Sequence, residues 1–241
     1  MPRYLVSLVT YNERENLPIM LEEIFQVAPD VDVLVVDDNS PDGTGDWAAE
    51  YQEQDARLKL IRRSGKLGLG TATLAAMRYA IENGYDYLLN LDADLSHPPR
   101  YIPSLRAKAE EGFDIVIGSR YVAGGGIEGW PFYRRVMSRC INFYAQLLLG
   151  LKTKDNSGSF RCYRTETLKK LDAEAIISHG YSFLEEVLFR LRREGASFAE
   201  VPIVFVDRRY GTSKINKKEA IRALVTLLRL GLFPANQGDR R

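Results

Sequence analysis

The sequence predicts an α/β fold with a mostly parallel central sheet covered by helices on both faces. Three observations carry this. Short runs rich in Val, Ile, Leu and Tyr alternate with longer helical patterns through the first half of the chain, the order expected of parallel βα units. Those runs are near-continuously apolar, as strands buried on both faces must be. The composition, 45% hydrophobic and 27% charged over 241 residues, supports one large core.

In chain order, YLVSLVT (4–10), VDVLVVDD (31–38), LKLIRR (58–63), YLLNLDAD (87–94) and FDIVIGSR (113–120) read as strands. Between them ENLPIMLEEIFQVA, TGDWAAEYQEQ, GTATLAAMRYAIENG and YIPSLRAKAEEG read as helices. The second half begins with a glycine loop, AGGGIEGWP (123–131), followed by a helix from about residue 134 to 149. DNSGSFRCYR reads as a turn entering a strand, GYSFLEEVLFRLRREG as a helix and FAEVPIVFVDRR as one further strand, before KKEAIRALVTLLRLGLF closes as a helix. No repeat or low-complexity linker separates the halves, so one domain over residues 1–241 is expected.

The formal net charge of +1 gives no bulk attraction to nucleic acid, and no such partner is expected; anionic ligands must be held by local clusters. Cys140 and Cys162 have no CxxC spacing and read as reduced thiols of a cytosolic protein. The N-terminal apolar run is too short for a signal sequence, and no stretch reaches the roughly 18 apolar residues of a membrane span.

Ligands of such sheets collect at the carboxyl ends of strands. Four strands end in polar residues there: Thr10 to Glu13, Asp37 to Ser40, Asp92 to Ser96, and Ser119 with Arg120. In LLNLDADLSHPP, Asp92 and Asp94 repel each other unless a cation lies between them, and hard carboxylate oxygens suit Mg²⁺ or Mn²⁺. The plainer alternative is a turn whose aspartate caps the next helix. In VVDDNSPDGTG a carboxylate can accept from a base N–H or a ribose hydroxyl, although the segment is also dense in turn formers. GKLGLG (65–70) opens a helix and can offer Lys66 and backbone amides, Gly68 among them, to a phosphate; it is neither a Walker loop nor a full dinucleotide fingerprint.

Taken in order, YNE (11–13), VDDNSPDGT, GKLGLGTA, DADLSHPP, GSRYVAGGG, SGSFRCYR and DRRYGTSK resemble the polyprenol (dolichol) phosphate mannosyltransferases. These are a branch of the family 2 glycosyltransferases with a GT-A, Rossmann-like fold, and the resemblance runs from about Tyr4 to Arg229. It implies that Tyr11, Glu13, Val36 and Asp38 hold the nucleoside of a sugar nucleotide and that Asp92 and Asp94 bind the metal. It further implies that Arg120, Arg134, Ser138 and one of Arg208 or Arg209 surround the phosphates, with Ser213 and Lys214 in a G-x-S-K stretch. Ser96 stands where the family commonly has a metal-reaching Gln, so a shorter hydroxyl or an extra water completes the shell and the metal preference is left open. The implied division is a nucleotide-sugar half (1–118), an acceptor half (119–215) and a C-terminal amphipathic helix (216–233).

The implied reaction moves mannose from GDP-mannose to a polyprenyl monophosphate. A bound Mg²⁺ or Mn²⁺ offsets charge on the departing pyrophosphate, and a single displacement inverts the anomeric centre. The acceptor is already anionic near neutrality, so no strong base is needed. His97, beside two prolines, reads as structural or as hydrogen-bond support, and His179 as a loop residue. The catalytic set is taken as Asp94, Arg120 and Glu185; Glu185 and Glu186 lie about 100° apart on a helix, so at most one faces the site, and Glu185 is favoured. In the last helix Ile221, Leu224, Val225, Leu228 and Leu232 form an apolar stripe that either packs on the body or lies in a membrane interface, and a peripheral position on the cytoplasmic face is expected. Rival readings are the same reaction with another donor such as UDP-glucose, a haloacid-dehalogenase phosphatase using its D-x-D as nucleophile, and a silent nucleotide-sugar or lipid-phosphate binding module.

Overall fold

A computed structural model describes residues 1–178, 180, 182–207 and 217–232, with residues 217–223 as backbone alone. The chain first builds β1 (Tyr4–Thr10), β2 (Asp32–Asp37), β3 (Leu58–Arg62) and β4 (Tyr87–Asp92), with α1 (Leu17–Val27), α2 (Thr44–Gln54) and α3 (Leu69–Glu82) between them. A 3₁₀ turn and α4 (Ile102–Glu110) lead to β5 (Ile115–Ser119), then come β6 (Gly126–Glu128), α5 (Phe132–Leu149), β7 (Arg161–Arg164) and the short α6 (Thr165–Leu168). The order closes with α7 (Phe183–Arg193), β8 (Phe198–Pro202), β9 (Val204–Val206) and α8 (Lys217–Leu232). The main sheet runs β3-β2-β1-β4-β7-β5-β8, and β6 pairs with β9 apart from it.

Period-two alternation assigns the two faces. Val6, Leu8, Val33, Val35, Leu89 and Leu91 join one apolar cluster with α1 and α4. Leu5, Leu34, Val36 and Leu88 join the other, with α3, α7 and the inner edges of α5 and α8. Gly70 sits in α3 where a Cβ would lie 2.9 Å from the Phe183 ring, so α3 and α7 approach this closely only because that position lacks a side chain.

The sheet is mostly parallel, as expected, and β7, whose direction the sequence left open, lies antiparallel between β4 and β5, with Asn90 opposite Arg161 and Tyr87 opposite Arg164. The chain leaves β5 and re-enters at β7 from the same end of the sheet, so no crossover precedes the pairing. The expected glycine loop contains β6. The single strand expected over 198–209 divides after Pro202, which has no N–H for the ladder; β8 pairs with β5, and β9 leaves to pair with β6.

Candidate active site

The carboxyl ends of β1, β2 and β4 lie side by side, and each is followed by a non-glycine residue with positive φ: Asn12 at 59°, Asn39 at 57° and Leu95 at 63°. Left-handed backbone at three neighbouring strand ends is a strained arrangement that the surrounding bonds must hold. Asp37, fully buried, accepts from Thr10 Oγ1 at 2.9 Å, Ser40 N at 2.9 Å and Ser40 Oγ at 2.5 Å. Asn12 N donates to Ser40 Oγ and Glu13 N to Thr44 Oγ1, each at 3.0 Å, so the YNE turn is bolted to the turn after β2.

Asp38 is buried and paired with Arg63 at 2.6 Å, and it accepts from Gly68 N at 3.2 Å. Arg63 Nη2 reaches Thr71 Oγ1 at 2.5 Å. The loop carrying Lys66 is thereby tied to the end of β2, and Lys66 Nζ sits 4.2 Å from the centroid of the Tyr11 ring. Tyr11, Asp38, Lys66 and Gly68 are therefore brought together. The Val36 side chain is fully buried in the core, which leaves only its main chain at this strand end.

Asp94 is buried and accepts from Ser96 N at 3.1 Å and Ser96 Oγ at 2.5 Å; the tight turn at Leu95 allows both. This also corrects the helix-cap alternative, since neither the 3₁₀ turn nor α4 has a side-chain cap. Asp92 is partly exposed, and His97 Nδ1 lies 3.5 Å from its Oδ2. Burial holds the His97 pKa below its ordinary value despite the nearby aspartates, and its ring meets Phe160 and Phe205 edge-on, so it is a neutral packed support. Among the described residues no group of three or more His, Cys, Asp or Glu is arranged to hold a metal ion. A pair of hard carboxylates fits a small divalent ion of the kind that completes its shell with water and substrate phosphate oxygens.

Arg120 is buried, and Asp155 holds it in a fork: Nε to Oδ2 at 2.7 Å and Nη2 to Oδ1 at 2.6 Å. Burial opposes both charges, yet each partner outweighs it, holding the guanidinium above and the carboxyl below its ordinary range. Arg134, in the first turn of α5, lies 3.9 Å over the Trp130 ring and 3.4 Å from Asp207. Ser138, one turn on, accepts from Tyr121 OH at 2.6 Å.

The two glutamates of α7 separate as the helical geometry requires. Glu186 accepts from Ile177 N, Ser178 N and Arg190 Nε, and supports its own surroundings. Glu185 is buried, its Oε2 has no hydrogen-bond partner among the described residues, and its charged neighbours are Arg161, Asp155 and Arg120. Burial pushes its pKa up to about 7.

His179, Arg208, Arg209, Ser213 and Lys214 lie outside the described residues. Sequence reasoning missed Arg63, Trp130, Asp155 and Arg161. Asp155 and Arg161 stand in the DNSGSFRCYR stretch, whose polar residues crowd a turn. Arg63 directly follows β3, so it stands at a strand's carboxyl end as the polar residues after the other strands do.

The family model of glycosyl transferase family 2 matches residues 6–172. An undecaprenyl-phosphate mannosyltransferase of Micrococcus luteus is 42% identical over 238 residues, covering 99% of this chain and 98% of its own length. A polyprenol monophosphomannose synthase of Mycolicibacterium smegmatis is 41% identical over 231 residues, covering 95% and 87%. Two solved structures, each 18% identical, share the fold. A glucosyl-3-phosphoglycerate synthase of Mycobacterium tuberculosis, with Mn²⁺, UDP-glucose and phosphoglyceric acid, gives a TM-score of 0.67 over 98% of this chain and 82% of that one. A mannosyltransferase of Pyrobaculum calidifontis, with GDP-Man and Mn²⁺, gives 0.60 over 97% and 63%. A GT-A-like sheet with its polar residues at the strand ends and a match across nearly the whole length lead to one conclusion: the chain belongs to glycosyl transferase family 2.

Proposed function

We propose that this glycosyltransferase moves mannose from GDP-mannose to a polyprenyl monophosphate, with inversion at the anomeric carbon. The observation that carries the reading is the pairing of Asp92 and Asp94 at one strand end with the Arg120–Asp155 and Arg134 cluster beside it. Two polyanionic substrates must be brought together there, and the relatives at 41–42% identity bear the names of enzymes acting on polyprenyl phosphates.

In this reading, residues 1–118 form the donor half. Tyr11, Glu13, Asp38, Lys66 and Gly68 hold the nucleoside, with Val36 offering main chain. Asp92 and Asp94 hold Mg²⁺ or Mn²⁺, with Ser96 orienting Asp94 at the edge of the shell. The bound ion supplies Lewis-acid stabilisation of the pyrophosphate leaving group. Residues 119–215 form the acceptor half, in which Arg120, its charge answered by Asp155, is a fixed frame at the site and Arg134, Ser138, Arg208 or Arg209, Ser213 and Lys214 bind phosphate oxygens. An acceptor oxygen attacks C1 as the bond from C1 to GDP breaks. A phosphate monoester has a second pKa of about 6, and Glu185, pushed to about 7, accepts the remaining proton.

The lipid tail requires an apolar surface. On α5, Phe132, Tyr133, Val136, Met137, Phe143 and Leu147 are exposed, at 82% for Phe132 and 71% for Leu147. α8 packs on α5 through Leu227 and Leu230 and leaves Leu224, Val225, Leu228 and Leu232 outward. No helix among the described residues is long and apolar enough to cross a membrane. Such a face beside the acceptor arginines supports peripheral seating on the cytoplasmic side of a membrane.

The deciding experiment incubates the protein with GDP-mannose or UDP-glucose, Mg²⁺ or Mn²⁺ and a short polyprenyl phosphate, followed by mass spectrometry of the lipid. A mannosyl-phosphoryl lipid is expected from GDP-mannose alone, at least ~100-fold reduced in Asp94→Ala. Transfer from UDP-glucose in preference, or full activity of Asp94→Ala, would overturn the donor or the metal assignment respectively.

A further inference from the structure

We propose that Arg161 is the positioning residue of the acceptor half, locking the loop that carries Asp155 to the first turn of α7 and so fixing Glu185 against the reacting phosphate. This rests on the reading of Glu185 as the group that takes the acceptor's proton.

Arg161 begins β7 opposite Asn90, two residues before Asp92 on the neighbouring strand, and heads the fully buried side chains by size. A charged side chain sealed in this way must be answered by bonds or by an opposite charge. Two of its three side-chain bonds among the described residues are to main-chain carbonyls. Nη2 donates to Asn156 O at 2.6 Å, and Nη1 to Leu184 O at 2.8 Å, with Tyr163 OH at 3.2 Å. Asn156 follows Asp155, and Leu184 precedes Glu185. One planar guanidinium thus staples the residues adjacent to both buried acids, a geometry that a single ammonium cannot copy.

The charge balance leads to the same place. Four ionisable groups cluster here: Arg120 from the end of β5, Asp155 from the loop after α5, Arg161 from β7 and Glu185 from α7. Asp155 is taken in a fork by Arg120. Glu186 turns to Arg190 and the backbone at 177–178. Glu185 accepts from its own backbone N–H, but its Oε2, like Nε of Arg161, is buried without a hydrogen-bond partner among the described residues. Arg161 is the largest of the cationic influences opposing the upward push of burial on Glu185. Removing that charge therefore drives Glu185 further toward its neutral form.

The test is the pH dependence of kcat for wild type, Glu185→Gln, Arg161→Met and Arg161→Lys, with thermal melts to confirm folding. Glu185→Gln is expected to lose the ionisation limb near neutrality. Arg161→Met should move that limb upward by about one pH unit and lower kcat about tenfold or more, with KM for the donor unchanged. Arg161→Lys keeps the charge but cannot bridge both carbonyls, so its limb should stay near wild type while kcat falls. If Glu185→Gln keeps the wild-type rate and limb, the reading of Glu185 fails and this proposal with it. If Glu185→Gln loses the limb while folded Arg161→Met keeps it in place, Glu185 stands and Arg161 is only a core residue. Should Arg161→Met not fold, a wild-type kcat in Arg161→Lys is the result that overturns the proposal.

Discussion

At the scale of single residues, charge here is held by bonds whose loss has calculable consequences. Ser96 Oγ donates to Asp94, fixing the carboxylate before any ion arrives. Ser96→Ala is expected to weaken Mn²⁺ binding about tenfold, read by calorimetric titration, with little change in folding. Asp155→Asn leaves Arg120 buried and uncompensated, and should cost about 3–5 kcal/mol of stability by denaturant unfolding. The folded pKa of Asp155 is depressed, so its contribution is complete above the ordinary value of 3.8 and is lost as pH falls through the lower folded value. Glu185 has the opposite sign. Its pKa rises from 4.5 to about 7 on folding, so its stabilising contribution is full below 4.5 and is lost as pH climbs through 7. Glu185→Gln should flatten the stability profile between those values, removing up to about 3 kcal/mol of slope in melts taken across pH 4.5–8.

At the scale of elements, the strands were legible because burial on both faces leaves an almost pure apolar code. β1 and α2 fall where the sequence places them, at 4–10 and 44–54. β6, three residues long, was hidden by the glycines around it, and the split of β8 from β9 by the fact that one apolar run serves two sheets. The stripe expected either to pack on the body or to lie in a membrane interface faces outward at Leu224, Val225, Leu228 and Leu232, and α8 packs inward instead through Leu227 and Leu230, which the sequence did not single out. The exposed face of α5 was not singled out, since an amphipathic helix looks the same in sequence whichever face meets the protein. Replacing Phe132, Phe143 and Leu147 with Ser should lower partition onto anionic vesicles about tenfold or more, measured by co-sedimentation, while the melting temperature and donor binding hold.

At the scale of the whole molecule, the donor half should behave as a metal-gated binding unit. GDP-mannose with Mn²⁺ at about 100-fold above the dissociation constant is expected to stabilise the fold by about 2.7 kcal/mol, seen as a thermal shift that chelator abolishes. GDP-mannose giving the same shift with and without chelator would separate donor binding from Asp92 and Asp94. By itself the sequence determined the α/β class, the family and the strand ends where chemistry collects, because those depend on apolar periodicity and on short motifs that survive as linear patterns. Tertiary structure alone decided that β7 runs antiparallel, that Arg63 answers Asp38, that Asp155 answers Arg120, and that Glu185 rather than Glu186 turns toward Arg161. The physical reason is distance along the chain. An ion pair such as Arg120 with Asp155, 35 residues apart, leaves no periodic trace in sequence, and its energy exists only once folding removes the water between its partners.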